Sequence, residues 1–172
     1  RFFAEGKDSK VGSYSKWGGF LSDVDKFDPL FFNISPRDAE TMDPQERLFL
    51  ETAYATLGNA GYSRKDVEGS NMGVFVGVTW GEYTFYGMEN ALRGETYATD
   101  SVYASVANRV SYWLNVHGPS LALDTMCSSS FTALHYAVEG IRRGEMEMAI
   151  AGGVNLSLHP SKHILLCKDK FA

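Results

Sequence analysis

The stretch LALDTMCSSSFTALHYA, residues 121–137, holds the strongest chemical signal in the chain. An apolar, strand-like run ends, Cys127 falls at the turn, and three serines lead into an apolar helix. A sulfur at that place faces the positive end of a helix and a set of N–H groups without intrahelical partners, both of which stabilise negative charge. The same N–H groups suit an oxyanion formed when the sulfur attacks a carbonyl. This is the nucleophile-elbow logic of the hydrolases, with sulfur for oxygen and without the flanking glycines. Two readings stay open on the residues alone. Cys127 is a nucleophile, or it is a small buried hydrophobe, as free cysteines usually are. The serines are equally open, because serine at a helix start ordinarily satisfies orphan N–H donors.

A nucleophile needs a base, and the chain has four histidines. His135 lies eight residues beyond Cys127, roughly 12 Å along a helix and out of hydrogen-bond reach. His117 precedes Gly118-Pro119 at a helix end, where a cation suits the dipole. His159, His163 and Cys167 recur every four residues like a metal triad, yet the outer pair would stand roughly 12 Å apart. Ligands of one zinc lie within about 4 Å of each other, so no metal site is expected. GVFVGVTWG lacks the G-x-G-x-x-G spacing of a dinucleotide turn, and Gly152-Gly153 reads as close backbone packing within a strand.

The elements that must position Cys127 follow from periodicity. In MDPQERLFLETAYATLGNAG, Asp43 suits a cap, Pro44 the first helical position and Glu46 the third residue after the cap. The helix is expected to stop at Gly61, with Leu50, Ala53, Tyr54 and Leu57 on its core stripe. NMGVFVGV (71–78) is apolar without alternation, which suits a strand buried on both faces of a parallel sheet. Residues 79–99 are polar and Gly-punctuated. Val102, Val106, Val110 and Leu114 then give a second helix, ending at Gly118-Pro119, and SLALDTM a second strand. From Ser128 a largely buried helix is expected, with Phe131, Leu134, Val138 and Ile141 on one face and Ala133 and Ala137 on another. Gly144 closes it after two arginines. EMAIAGGVNL is a third buried strand. The alternation of strand and helix predicts an α/β fold with parallel strands and right-handed crossovers. Residues 1–40 carry aromatics without period and read as loops pinned by packed rings, Trp17, Phe20, Phe27, Phe31 and Phe32 among them.

Composition bounds the rest. The chain has 172 residues, 44% hydrophobic, with 16 Lys+Arg, 21 Asp+Glu and a net charge of −5. A globular chain of that size buries a sizeable core without disulfides, and two cysteines make no disulfide framework. Sparse cysteine fits a reducing, cytoplasmic setting. No apolar run is long enough to span a bilayer and the start is not a signal peptide. An acidic chain with no basic cluster beyond Arg142-Arg143 has no footprint for nucleic acid. No repeat or linker divides residues 1–172. The chain opens without Met and stops at KDKFA, so it is expected to be a piece of something larger.

Taken together, GGFLSDVDKFDPLFFNISPRDAETMDPQERLFLE, GVFVGV, SVYASVANRVSYWLNVHGPSLALDTMCSSSFTALHYA and AIAGGVNL resemble the β-ketoacyl synthase (ketosynthase) domains of modular polyketide synthases, in that family's order, from about Trp17 onward. The resemblance implies the N-terminal part of a thiolase-like, layered α/β/α/β/α fold. It implies that Cys127 takes an acyl chain from the phosphopantetheine arm of an acyl carrier protein. The acyl group is then condensed with a carbanion made by decarboxylating a malonyl unit, and the Cys127 N–H supplies part of the oxyanion hole. Thioester formation of this kind is covalent catalysis. No directly bound cofactor is implied, and a homodimer is. Met126 stands where many members have Ala, which resembles the subgroup whose acyltransferases are separate proteins. By positional analogy Met126, Trp80 and Tyr97 border the acyl pocket, with Trp80 and Tyr97 alternatively at the dimer interface or simply packed, and Met126 alternatively core filler. The family's two catalytic histidines, its lysine and its other oxyanion donor lie downstream of these residues. The 172 residues are therefore expected to be inactive alone. Two rivals remain: a non-elongating member that only passes acyl chains, and a non-catalytic member that docks carriers or dimerises.

Overall fold

A computed structural model of the chain describes residues 2–4, 12–96, 98–99 and 101–172. Its elements run α1 (Pro36–Thr41), α2 (Pro44–Asn59), α3 (Arg64–Val67), β1 (Met72–Gly77), α4 (Tyr83–Leu92), α5 (Tyr103–Leu114), β2 (Ser120–Leu123), a 3₁₀ turn (Met126–Ser128), α6 (Ser129–Arg142), β3 (Met148–Gly153) and α7 (Pro160–Lys168). The sheet has the order β2-β1-β3, and both pairings are parallel. Gly77 at the end of β1 is in register with Leu123 of β2 and Gly153 of β3. All three strands therefore end at one level, and the turn bearing Cys127 leaves the sheet there.

β1 is central and buried throughout, as its unalternated apolar run requires. Its pleat sorts the two faces. Met72, Val74 and Val76 join Phe49, Leu50, Ala53 and Leu57 of α2 and Val106, Val110 and Leu114 of α5 in the main core. Phe75 points the other way, against Ala133 and Ala137 of α6 and Met146. The result is a helix layer, a sheet and a second helix layer. β2 and β3 are only partly buried, where full burial was expected, because in the order β2-β1-β3 both are edge strands.

Several expectations need correcting. α6 packs through small residues: Ser129, Ala133, Ala137 and Gly140 are buried, whereas Phe131, Leu134, Val138 and Ile141 are exposed. Among the described residues, the expected apolar face is the one turned away from the sheet. The opposing face of β1 is Gly73, Phe75 and Gly77, and at Gly77 a Cβ would lie 2.6 Å from the Ser129 carbonyl carbon. A helix approaching so closely can present only small side chains. α5 ends at Asn115 in the left-handed conformation (φ 54°), before the Gly118-Pro119 break, and Val102 is its exposed N-cap.

α4 falls within residues read as a polar, Gly-punctuated stretch. Gly87 in its middle permits close approach of Thr99, whose hydroxyl accepts the Gly87 N–H at 2.9 Å and donates to the Tyr83 carbonyl at 2.6 Å. α2 begins as expected, the Asp43 carboxylate accepting the Gln45 N–H at 2.8 Å. Buried Glu46 takes a side-chain partner on α5, Arg109, at 2.5 Å. Of the N-terminal aromatics, Phe27 stacks on Phe32, and Phe31 and Phe32 close around Trp113. Trp17 and Phe20 do not pack; they are 81% and 87% exposed.

Candidate active site

Beyond Leu123 the chain turns sharply, and side chains hold the turn. The Asp124 carboxylate accepts the Met126 N–H at 3.0 Å. Met126 has φ 58°, in the left-handed region that non-glycine residues seldom occupy. Buried Ser129 closes the turn from behind: its hydroxyl accepts the Thr125 N–H at 2.9 Å and donates to the Met126 carbonyl at 2.6 Å. The Thr79 hydroxyl, just past β1, stands 3.4 Å from both the Met126 carbonyl and the Ser129 hydroxyl. Ser128 donates to the Thr125 carbonyl at 2.8 Å, and the Thr125 and Thr132 hydroxyls are 2.9 Å apart.

Ser128 holds the N-cap position of α6, but neither its hydroxyl nor that of Ser129 caps the helix. No side-chain cap bond forms at the start of α6, and both hydroxyls are turned back onto the preceding turn. Gly77 and Gly153, on neighbouring strands, make room for this. A Cβ at Gly153 would come within 3.0 Å of the Ser130 Cβ, and one at Gly77 within 2.7 Å of the Ser129 Cβ. The expectation that Gly152-Gly153 marks close backbone packing holds at Gly153.

Cys127 sits inside the 3₁₀ turn and is exposed, so the reading of a small buried hydrophobe does not apply to it. That reading fits Cys167, which is buried on α7. Burial raises the Cys167 thiol, but hydrogen bonds from the Ser13 side chain and the Ser15 and Tyr14 backbone outweigh it, and the group is held below the usual thiol range.

Met126 is largely exposed beside Cys127. The Trp80 carbonyl accepts the Gln45 amide at 2.7 Å, and the Lys162 ammonium lies 5.7 Å from its ring centroid. Tyr97 lies outside the described residues. His135 is exposed with its ring against Tyr136. His159 caps α7 and meets Glu89 at 3.2 Å, and His163 reaches the Ser15 carbonyl at 2.9 Å. Among the described residues, none of these histidines is hydrogen-bonded to Cys127.

Sequence reasoning missed a buried polar cluster on the α2, α4 and α7 side. Glu82 is buried and its carboxylate accepts the N–H groups of Leu158, His159 and Lys162 and the Ser161 hydroxyl. Buried Lys162 donates to the Asn155 side chain and to the Leu156 carbonyl. Its burial pushes the ammonium below the ordinary lysine range, against the opposing pull of Glu82. Burial likewise pushes the Asp43 carboxyl up, only partly offset by hydrogen bonds from Ser101 and Gln45. The signal was the cluster of polar residues at the start of α2, which read as helix-start chemistry alone.

Comparison with known proteins places this geometry. The family model "Beta-ketoacyl synthase, N-terminal domain" matches residues 3–172. Polyketide synthase PksL of Bacillus subtilis is 54% identical over 177 residues, which cover 99% of this chain and 4% of that protein. Polyketide synthase ThaG of Burkholderia thailandensis is 54% identical over 170 residues, covering 99% of this chain and 3% of that one. Among solved structures, the oxazolomycin ketosynthase domain OzmH KS7 of Streptomyces albus superposes with a TM-score of 0.90 at 55% identity, over 95% of this chain and 29% of the other. The ketosynthase from module 6 of the bacillaene synthase of Bacillus subtilis gives 0.76 at 38% identity, over 88% and 25%. The chain thus spans less than a third of these solved ketosynthases and a few per cent of the synthases. With its thiolase-like α/β architecture and nearly full-length match, the chain belongs to the β-ketoacyl synthase family and corresponds to its N-terminal domain.

Proposed function

We propose that residues 1–172 are the nucleophile-bearing part of a larger ketosynthase domain in a polyketide synthase, and that Cys127 is its acyl acceptor. The carrying observation is an exposed thiol on a side-chain-clamped turn between a parallel strand and a close-packed helix. An exposed sulfur at that position is open to a thioester delivered on the phosphopantetheine arm of an acyl carrier protein. A bond forms between the Cys127 sulfur and the acyl carbon, the carrier thiolate leaves, and the Cys127 proton goes to it. No oxidant or reductant is required. Decarboxylation of a malonyl-type thioester then releases CO₂ and a carbanion that attacks the Cys127 thioester, leaving a β-ketoacyl chain on the carrier and expelling Cys127 as a thiolate that takes up a proton from solvent. Splitting the reaction at a covalent intermediate makes each step easier. Met126, exposed beside the sulfur, is assigned to the wall of the acyl site. The working form is a homodimer, and it acts in the cytoplasm.

The test is to incubate the intact ketosynthase domain with a short acyl thioester of a pantetheine mimic and map the adduct by mass spectrometry. A single acyl adduct on Cys127, absent in Cys127→Ala, is expected. An adduct on Cys167, or none, overturns the assignment.

A further inference from the structure

The Ser129 hydroxyl makes two bonds of unequal meaning. One accepts the Thr125 N–H; the other is donated to the Met126 carbonyl at 2.6 Å. That carbonyl belongs to the same peptide unit as the Cys127 N–H. A trans peptide is planar, with C=O and N–H pointing in opposite directions. Fixing the carbonyl at one end therefore fixes the line along which the Cys127 N–H points at the other. Donation to the carbonyl also polarises the peptide and strengthens its N–H as a donor, since hydrogen bonds in a chain reinforce one another. Ser129 is buried, unlike Ser128 and Ser130 on either side. Its hydroxyl is thus shielded from competing water, and in that setting one aligned bond has its largest effect.

The restraint matters because Met126 is left-handed. For a non-glycine residue that conformation is unfavourable, and the Ser129 backbone N–H, which also donates to the Met126 carbonyl, holds the peptide together with the Ser129 hydroxyl. Resting on the assignment of Cys127 as acyl acceptor, we propose that Ser129 is a positioning residue for acyl transfer. Its hydroxyl holds and polarises the Met126–Cys127 peptide so that the Cys127 N–H meets the oxyanion of the tetrahedral intermediate. Thr79, at 3.4 Å, lends minor support.

The inference separates two reactions of one sulfur. Acylation by a thioester passes through an oxyanion and needs the aligned N–H. Alkylation by iodoacetamide is a direct displacement at carbon and does not. In the intact ketosynthase domain, Ser129→Ala is expected to slow acylation by the pantetheine-mimic thioester about tenfold or more, chiefly in kcat. Alkylation of Cys127 is expected to stay within about twofold of wild type. Thr79→Val is expected to slow acylation less than Ser129→Ala does. Alanine is smaller than serine, so the close packing against Gly77 is not challenged; losing the two hydroxyl bonds is expected to lower the thermal midpoint by a few degrees, and an unchanged circular-dichroism spectrum at the assay temperature checks that the variant is folded. Acylation within twofold of wild type overturns the inference, and so does a parallel fall in both reactions, which marks Ser129 as merely structural. Failure of the underlying assignment looks different: wild-type protein then carries no acyl group on Cys127.

Discussion

Gly77 and Ser129 are held so close that any side chain on Gly77 would overlap the start of α6: a Cβ there falls 2.6 Å from the Ser129 carbonyl carbon and from the Ser130 nitrogen. The distance couples the sheet to the turn bearing Cys127, because the backbone that would have to move is the one Ser129 uses to hold Met126. Gly77→Ala is expected to lower stability by about 1–3 kcal/mol, the range for overpacking a well-filled site. Urea unfolding measures it. Acylation of Cys127 is expected to fall in the same variant, and a fully stable, fully reactive Gly77→Ala protein contradicts the coupling.

The two thiols are expected to react in an order that chemistry alone would not give. The Cys167 thiol is held below its ordinary range, but it is buried, whereas Cys127 is exposed. Access decides, since a reagent must reach the sulfur. Brief treatment of native protein with iodoacetamide should label Cys127 first, with Cys167 following only in denaturant. Peptide mapping reads the order.

Lys162 makes stability depend on alkaline pH. Burial lowers its folded value below the ordinary 10.5, so folding disfavours the ammonium. That penalty is fully present below the folded value and fades as pH rises through it toward 10.5. The urea midpoint of wild type minus that of Lys162→Met is therefore expected to climb with pH across this window. A flat difference removes Lys162 from the account.

Two ion pairs of similar composition should differ sharply in worth. Arg109 meets a Glu46 carboxylate that is only 2% exposed, whereas Arg93 and Glu89 are 64% and 45% exposed at 3.6 Å. A charge-assisted contact to a carboxylate shielded from water is worth more than one between two solvated side chains. Arg109→Ala is expected to cost about 1.5–3 kcal/mol and Arg93→Ala under about 0.5 kcal/mol, by denaturant titration.

The sequence made the backbone of this fold legible where local chemistry and tertiary role agree. Asp43 and Pro44 start α2 for reasons internal to four residues, and the unalternated run of β1 announced its central place. The strand, the turn and the helix around Cys127 were visible for the same reason. α4 was hidden because Gly87, unfavourable in a helix, serves a contact with Thr99 from twelve residues away. The packed face of α6 was hard to read because the helix carries two apolar stripes, and the choice between them is made by Gly77 on β1. At the site, Ser129 looked like a helix cap. Its role depends on the left-handed backbone of Met126, which no residue type at that position announces.

The same backbone sets a limit on redesign. Met126 stands beside the sulfur with its side chain exposed and its φ at 58°. Each replacement there is read twice, by whatever lies against the side chain and by the peptide that carries the Cys127 N–H. A β-branched residue resists this φ and glycine welcomes it. Variants at this position chosen for the size of the side chain will therefore change how the sulfur and its neighbouring N–H are aimed, and the two effects have to be separated before either is attributed to shape.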